Sequence, residues 1–96
     1  MMTQLQYFLG KLAEEGTEIA QISLKTQQFG LNETYEILSN KELCHLELDD
    51  LGAIIEILNE KFNFGFTSNF ENRRLKKIKV QKYLDYAISL GNVEAI

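Results

Sequence analysis

Four acidic residues sit where helices would bury their apolar sides. Glu15 with Glu18 and Glu47 with Asp50 are each spaced i, i+3, so each pair shares a face if its segment is helical. At about 100° per residue, Leu43, Glu47, Asp50, Leu51, Ile54, Ile57 and Leu58 fall on one stripe, with Asp49, Glu56 and Glu60 on the other side. Glu15 falls among Phe8, Leu12, Ile19 and Ile22, and Glu18 at the edge of that stripe. Ionised carboxylates enter a core only when paired or metal-bound. Two such pairs on facing apolar stripes predict a divalent cation site between two helices. The alternative is four solvated helix acids on a misjudged face.

Three long helical patterns predict an all-α fold, and each opens with the spacing of a capping box. Thr3 with Gln6 starts the first, which runs to about Phe29 and stops at Gly30. Ser39 with Glu42 starts the second, which runs to about Phe62, and Ser68 with Glu71 the third, which runs to about Leu90 before Gly91. A helical turn is expected in the connection 30–39. The aromatic connection 63–68 is expected either to turn and pack on the bundle or to run briefly extended. With no proline and no low-complexity linker, residues 1–96 read as a single domain.

A chain of 96 residues, 45% of them hydrophobic, can build a core, but small domains bury a low fraction of their surface. A homodimer or homotetramer that shares apolar faces is therefore expected. The net charge of −4 argues against a polymeric nucleic-acid partner. The single cysteine, Cys44, excludes an intramolecular disulfide and suits a reducing cytosol. The amino terminus shows no charged and then apolar leader pattern. No apolar run approaches the roughly 18 to 20 residues that span a bilayer. A cytoplasmic protein without a membrane partner is expected.

Oxygen ligands with no nearby His or Cys favour Mg²⁺ or Mn²⁺ over zinc. Mg²⁺ commonly bridges protein carboxylates to substrate phosphates. The pattern Glu14-Glu15-x-x-Glu18, a spacer from 19 to 46, and Glu47-x-x-Asp50 resembles the MazG-like, all-α nucleoside triphosphate pyrophosphohydrolases. The likeness extends through Leu12 to Gln21, Lys25, Phe29-Gly30, Leu51 to Leu58 and Lys79-Val80-Gln81-Lys82-Tyr83-Leu84, and covers about residues 8 to 90. The paired acidic motif is its specific part. The resemblance implies a MazG-like bundle of three main helices completed by oligomerisation. It also implies Mg²⁺-dependent hydrolysis of an NTP or dNTP to the monophosphate and pyrophosphate, with nucleotide-pool house-cleaning as a biological role. Carried onto this chain, Glu15, Glu18, Glu47 and Asp50 would hold the metal, and Glu14 or Glu15 would orient or deprotonate the attacking water. Two departures stand out: Asp49, where the family often has Gly, and Gly16-Thr17, where it prefers small or apolar residues. Asp49 projects to the polar side, so the ligand set is expected to survive. Gly16 loosens the helix beside the site, which bears on efficiency more than on fold.

Six of the ten basic residues lie between Arg73 and Lys82. A solvated face accounts for Arg74 and Lys77. Lys79 shares a stripe with Leu75, Tyr83, Tyr86 and Leu90, with Lys82 at its edge, so its charge needs a partner. Two roles stand open: Lys79 and Lys82 contact substrate phosphates with Tyr83 nearby, or Lys79 pairs with a core acid. Lys25 and Arg73 are weaker phosphate-binding candidates.

Other signals read as structural. Glu42-x-x-His45 is half of a di-iron motif, but Glu42 is better explained as a capping acid and His45 as a surface residue. Cys44 reads as packing. Phe62, Phe64, Phe66 and Phe70 read as core aromatics, with a base pocket or a dimer interface as alternatives. Gly65 alone makes no phosphate loop. The rival to the hydrolase is a non-catalytic helical interaction module that keeps the acids. A metal-buffering or di-metal oxidase bundle is disfavoured by the lack of a His ligand pair.

Overall fold

The computed structural model describes residues 1–96, Tyr35 through its backbone alone. The architecture is all-α: α1 spans Gln4–Phe29, α2 Asn40–Phe62 and α3 Phe70–Ser89, with a two-residue strand pair between α1 and α2. The chain divides into two compact units, Met1–Phe66 and Thr67–Ile96. The first holds α1, the strands and α2; the second holds α3.

The first two helices start and stop for the reasons legible in their sequence. Thr3 Oγ1 accepts from the Gln6 N–H, and the Gln6 side chain accepts from the Thr3 N–H, a reciprocal capping box. Gly30 ends α1 at φ 96°, a value that L side chains rarely adopt, and its N–H donates to the Thr26 carbonyl. Ser39 and Glu42 make the same box at the start of α2, which holds the Glu42 carboxyl below the usual carboxylate range. Asn63 closes α2 in the left-handed region.

The connections and the third helix depart from the sequence reading. Residues 30–39 hold no helical turn. They form an antiparallel pair, Thr34–Tyr35 (β1) with Leu38–Ser39 (β2), around a tight reversal where Glu36 takes φ 58°. The third helix is capped by Asn69 rather than Ser68: Asn69 Oδ1 accepts from the Asn72 N–H. Ser68 Oγ instead accepts from Arg73, and Glu71 forms a bidentate pair with Arg74 at 2.6 and 2.9 Å. Beyond Phe62, the Asn59 side chain both donates to and accepts from the Phe66 backbone and pins the aromatic segment to α2.

Packing in the first unit is antiparallel, with the start of α1 beside the end of α2. Phe8 meets Phe62 at 5.9 Å between ring centroids, and Lys61 stands over the Phe8 ring. Near the other end, Cys44 Sγ and Thr26 Oγ1 lie 3.4 Å apart, a packing role for the thiol. The helices bury their stripes only halfway: Phe8, Leu12, Ile19, Ile22, Leu51, Ile54 and Ile57 are half-buried, and among the described residues Leu58 is the fully buried apolar one. The fully buried polar residue is Asn40, whose Nδ2 donates to the Gly30 carbonyl. Asn40 and Lys41 N–H groups donate to the Glu33 and Leu31 carbonyls, so the start of α2 is tied to the loop that follows α1. Phe62 packs as expected, but Phe64, Phe66 and Phe70 are exposed rather than core residues in the single chain.

Gly16 is exposed in mid-helix, and a Cβ built there would meet nothing within 4 Å. Gly16→Ala is expected to stabilise the protein by about 0.5–1 kcal/mol, read as a higher midpoint in urea unfolding.

Candidate metal centre

Glu15 and Glu18 come from the middle of α1, Glu47 and Asp50 from the middle of α2. The i, i+3 spacing puts each pair on the face that its helix turns to the other, and antiparallel packing brings the two pairs level. Carboxylate oxygens from all four lie within 4.8 Å of one another. Glu15, Glu18 and Glu47 are half-buried, and Asp50 is exposed. Asp49, Glu56 and Glu60 are exposed, away from the stripe.

At the centre of the cluster, two carboxylate oxygens are left without a hydrogen bond. Glu15 Oε2 and Glu47 Oε2 are removed from solvent and have no hydrogen-bond partner. Desolvation raises the Glu15 carboxyl above its ordinary value, followed by the charges of Glu18 and Asp50. Desolvation likewise raises Glu47, followed by the hydrogen bond and charge of Glu18, then Asp50 and Glu15. Four carboxylates, two of them with a desolvated oxygen left unpaired, form the donor set that a hard, oxygen-seeking cation takes. The residues therefore fit a divalent metal.

Beside the cluster opens a cavity of about 470 Å³, lined by Glu18, Gln21, Ile22, Lys25, Leu43 and Glu47. Its volume lies in the range of small-molecule sites. It shares two carboxylates with the cluster and adds two apolar side chains, Ile22 and Leu43, and two polar ones, Gln21 and Lys25. Lys25 thus stands where a phosphate-binding cation is useful. Gln21 was not singled out from the sequence; its signal was the spacing Glu18, Gln21, Lys25, which keeps one helix face.

The remaining expected site residues are neither among the four clustered acids nor in the cavity's lining, apart from Lys25. Glu14 is exposed beside the cluster and pairs with Lys11 at 3.2 Å. Lys79, Lys82 and Tyr83 belong to α3 in the second unit, and all three are exposed. His45 is exposed, and Glu42 is engaged in its cap. Among the described residues, no helix is long and apolar enough to cross a membrane. Compared with known proteins, the chain matches no family model, no curated protein and no solved structure. The family resemblance therefore rests on the residues themselves.

The raised Glu15 and Glu47 carboxyls carry a sign for stability. A folded-state value above the unfolded value, 4.5 for both, means that the native state binds more protons. This contribution is complete below pH 4.5 and is lost as pH rises through the raised values. In chelator, Tm is expected to fall as pH rises from 4.5 toward neutrality, and Glu47→Gln to flatten that fall. Thermal melts across the interval check this.

Proposed function

We propose that the protein is a Mg²⁺-dependent nucleoside triphosphate pyrophosphohydrolase, with Mn²⁺ as an alternative ion. The observation that carries the reading is the meeting of four carboxylates from two helices, with two desolvated oxygens unpaired, beside a cavity that contains a lysine. The fitting substrate is anionic and rich in phosphoryl oxygens, because such a group completes a cation's oxygen shell and meets Lys25 in the same cavity. The paired motif supplies the more specific reading: NTP or dNTP and water give the monophosphate and pyrophosphate. Nucleotide-pool house-cleaning is the corresponding role, and a homodimer or homotetramer the corresponding assembly.

Glu15, Glu18, Glu47 and Asp50 would hold the ion, which when bound polarises a phosphoryl oxygen and acidifies water. The chain's own residues do the rest. Glu15 or Glu14 orients the attacking water and accepts its proton. Glu15 suits this better, because it stands in the cluster with an unpaired oxygen, whereas Glu14 is engaged with Lys11. Ile22 and Leu43 offer apolar contact in the cavity, and Lys25 offsets phosphate charge. The phosphate-binding role of Lys79, Lys82 and Tyr83 belongs to the same proposal.

Pyrophosphate release from a panel of NTPs and dNTPs, with and without Mg²⁺, tests the reading. Release should require the ion, and Glu47→Gln should lower kcat/KM by at least about 100-fold. If no nucleotide is cleaved while Mg²⁺ still raises Tm, the chain is a metal-binding helical module without this catalysis.

For the α3 cations, Lys79→Ala is expected to raise KM by about tenfold or more, as loss of a charge-assisted phosphate contact would. Unchanged KM and kcat would remove Lys79 from the site.

A further inference from the structure

Among the described residues, six line the cavity beside the acids, and the chemistry above gives a part to five of them. Glu18 and Glu47 belong to the cluster, Lys25 offsets phosphate charge, and Ile22 and Leu43 supply apolar contact. Gln21 is the sixth. It is exposed, and it stands one turn after Glu18 and one turn before Lys25 on one face of α1. The seven-residue step from Glu18 to Lys25 rises about 10 Å along the helix. Over that length the face changes from anionic to neutral to cationic. Long helical side chains lean toward the helix N-terminus, so those of Gln21 and Lys25 lean back toward the acids.

Charge decides what a side chain at position 21 can do. A cation there, three residues after Glu18, would pair with that carboxylate and compete with a metal ion for it. A carboxylate would enlarge the acidic cluster and repel a phosphate. A carboxamide does neither. Its N–H groups donate to a phosphoryl oxygen without adding charge, and its carbonyl accepts from an ammonium. Gln21 stands between the two cluster acids, Glu18 and Glu47, and the ammonium of Lys25. A ligand that reaches from an ion at those acids to Lys25 passes this neutral donor, and the group that complements it there is a further phosphoryl oxygen.

We propose that Gln21 is a further substrate-contacting residue, and that with Lys25 it makes the cavity selective for a chain of at least two phosphoryl groups. The first is held at the ion between Glu18 and Glu47, the next by Gln21 and Lys25. The phosphate chain then runs along α1 from the acids toward Lys25. This inference rests on the reading of the acids and the cavity as a site for a metal ion and a phosphorylated ligand, and it adds to that reading a residue and a direction. It uses side chains of the first unit alone.

Titration calorimetry on the full chain in Mg²⁺ tests it, with inorganic phosphate and pyrophosphate as probes and circular dichroism to confirm helix content. The wild type is expected to bind pyrophosphate more tightly than phosphate by about tenfold or more. Gln21→Leu should weaken pyrophosphate by about tenfold, as loss of a hydrogen bond to a charged group would, and leave phosphate within about twofold of the wild type. The rise in Tm with Mg²⁺ should be unchanged in that variant, because Gln21 is not one of the four clustered acids. Gln21→Glu keeps the size and removes the donors, so it should weaken pyrophosphate at least as much. Pyrophosphate affinity retained in either variant overturns the proposal. So does an equal loss for both probes, or a wild type that binds neither or does not distinguish them. If nucleotides are cleaved and Gln21→Leu is without effect, the hydrolase reading stands and this inference falls. If no nucleotide is cleaved while pyrophosphate binding depends on Gln21, the inference stands and the hydrolase reading falls.

Discussion

Carboxylates held together and partly removed from water repel one another and forgo hydration, and the first unit is built around such an arrangement. The same helix faces that bring Phe8 to Phe62 and bury Leu58 also bring Glu15 and Glu18 against Glu47 and Asp50. Apolar packing of Phe8, Leu58 and Phe62 at one end of the helix pair and the Asn40–Gly30 bond at the other hold the middle in a conformation that the acids alone oppose. The raised Glu15 and Glu47 carboxyls express that opposition. A site that stores unfavourable charge in this way is prepared for a cation, because binding converts the repulsion into coordination.

Placement of the acids on helices rather than loops gives the cluster its geometry. Their backbone is fixed by the helix ladders, and the helix pair is fixed by a capping box at each start and by the Asn40 bonds to the loop after α1. The cavity beside the acids follows from the same register, since Glu18, Gln21 and Lys25 continue one face of α1 toward Leu43 of α2. Acidic, basic and apolar side chains are thus aligned along one helix by spacing alone.

Half-burial is the other consequence of this small core. Few residues are fully removed from solvent, and α3 carries apolar side chains that its own unit cannot cover. Surface charge is divided correspondingly, acids on the first unit and bases on the second. The acidic cluster and the exposed acids Asp49, Glu56 and Glu60 lie on different faces of α2.

By itself, the sequence determined the elements that depend on local chemistry. Thr3 with Gln6, Ser39 with Glu42 and Gly30 set their helix boundaries because a cap is satisfied within a few residues. The i, i+3 acids declared their face because helical periodicity is local. Ser68 with Glu71 misled for the same local reason: Asn69 competes for the cap, and Arg73 and Arg74 engage the two side chains instead. The strand pair at Thr34–Ser39 was not legible, because it turns on Glu36 at positive φ without a glycine to announce it. Nor was the burial of Asn40, whose partner Gly30 lies ten residues away. Tertiary structure alone decided that the two acidic pairs stand level, that Lys25 and Gln21 share their cavity, and that Phe64, Phe66 and Phe70 stay exposed. These depend on the register of one helix against another, which is set by packing between residues distant in sequence and has no signature within either helix.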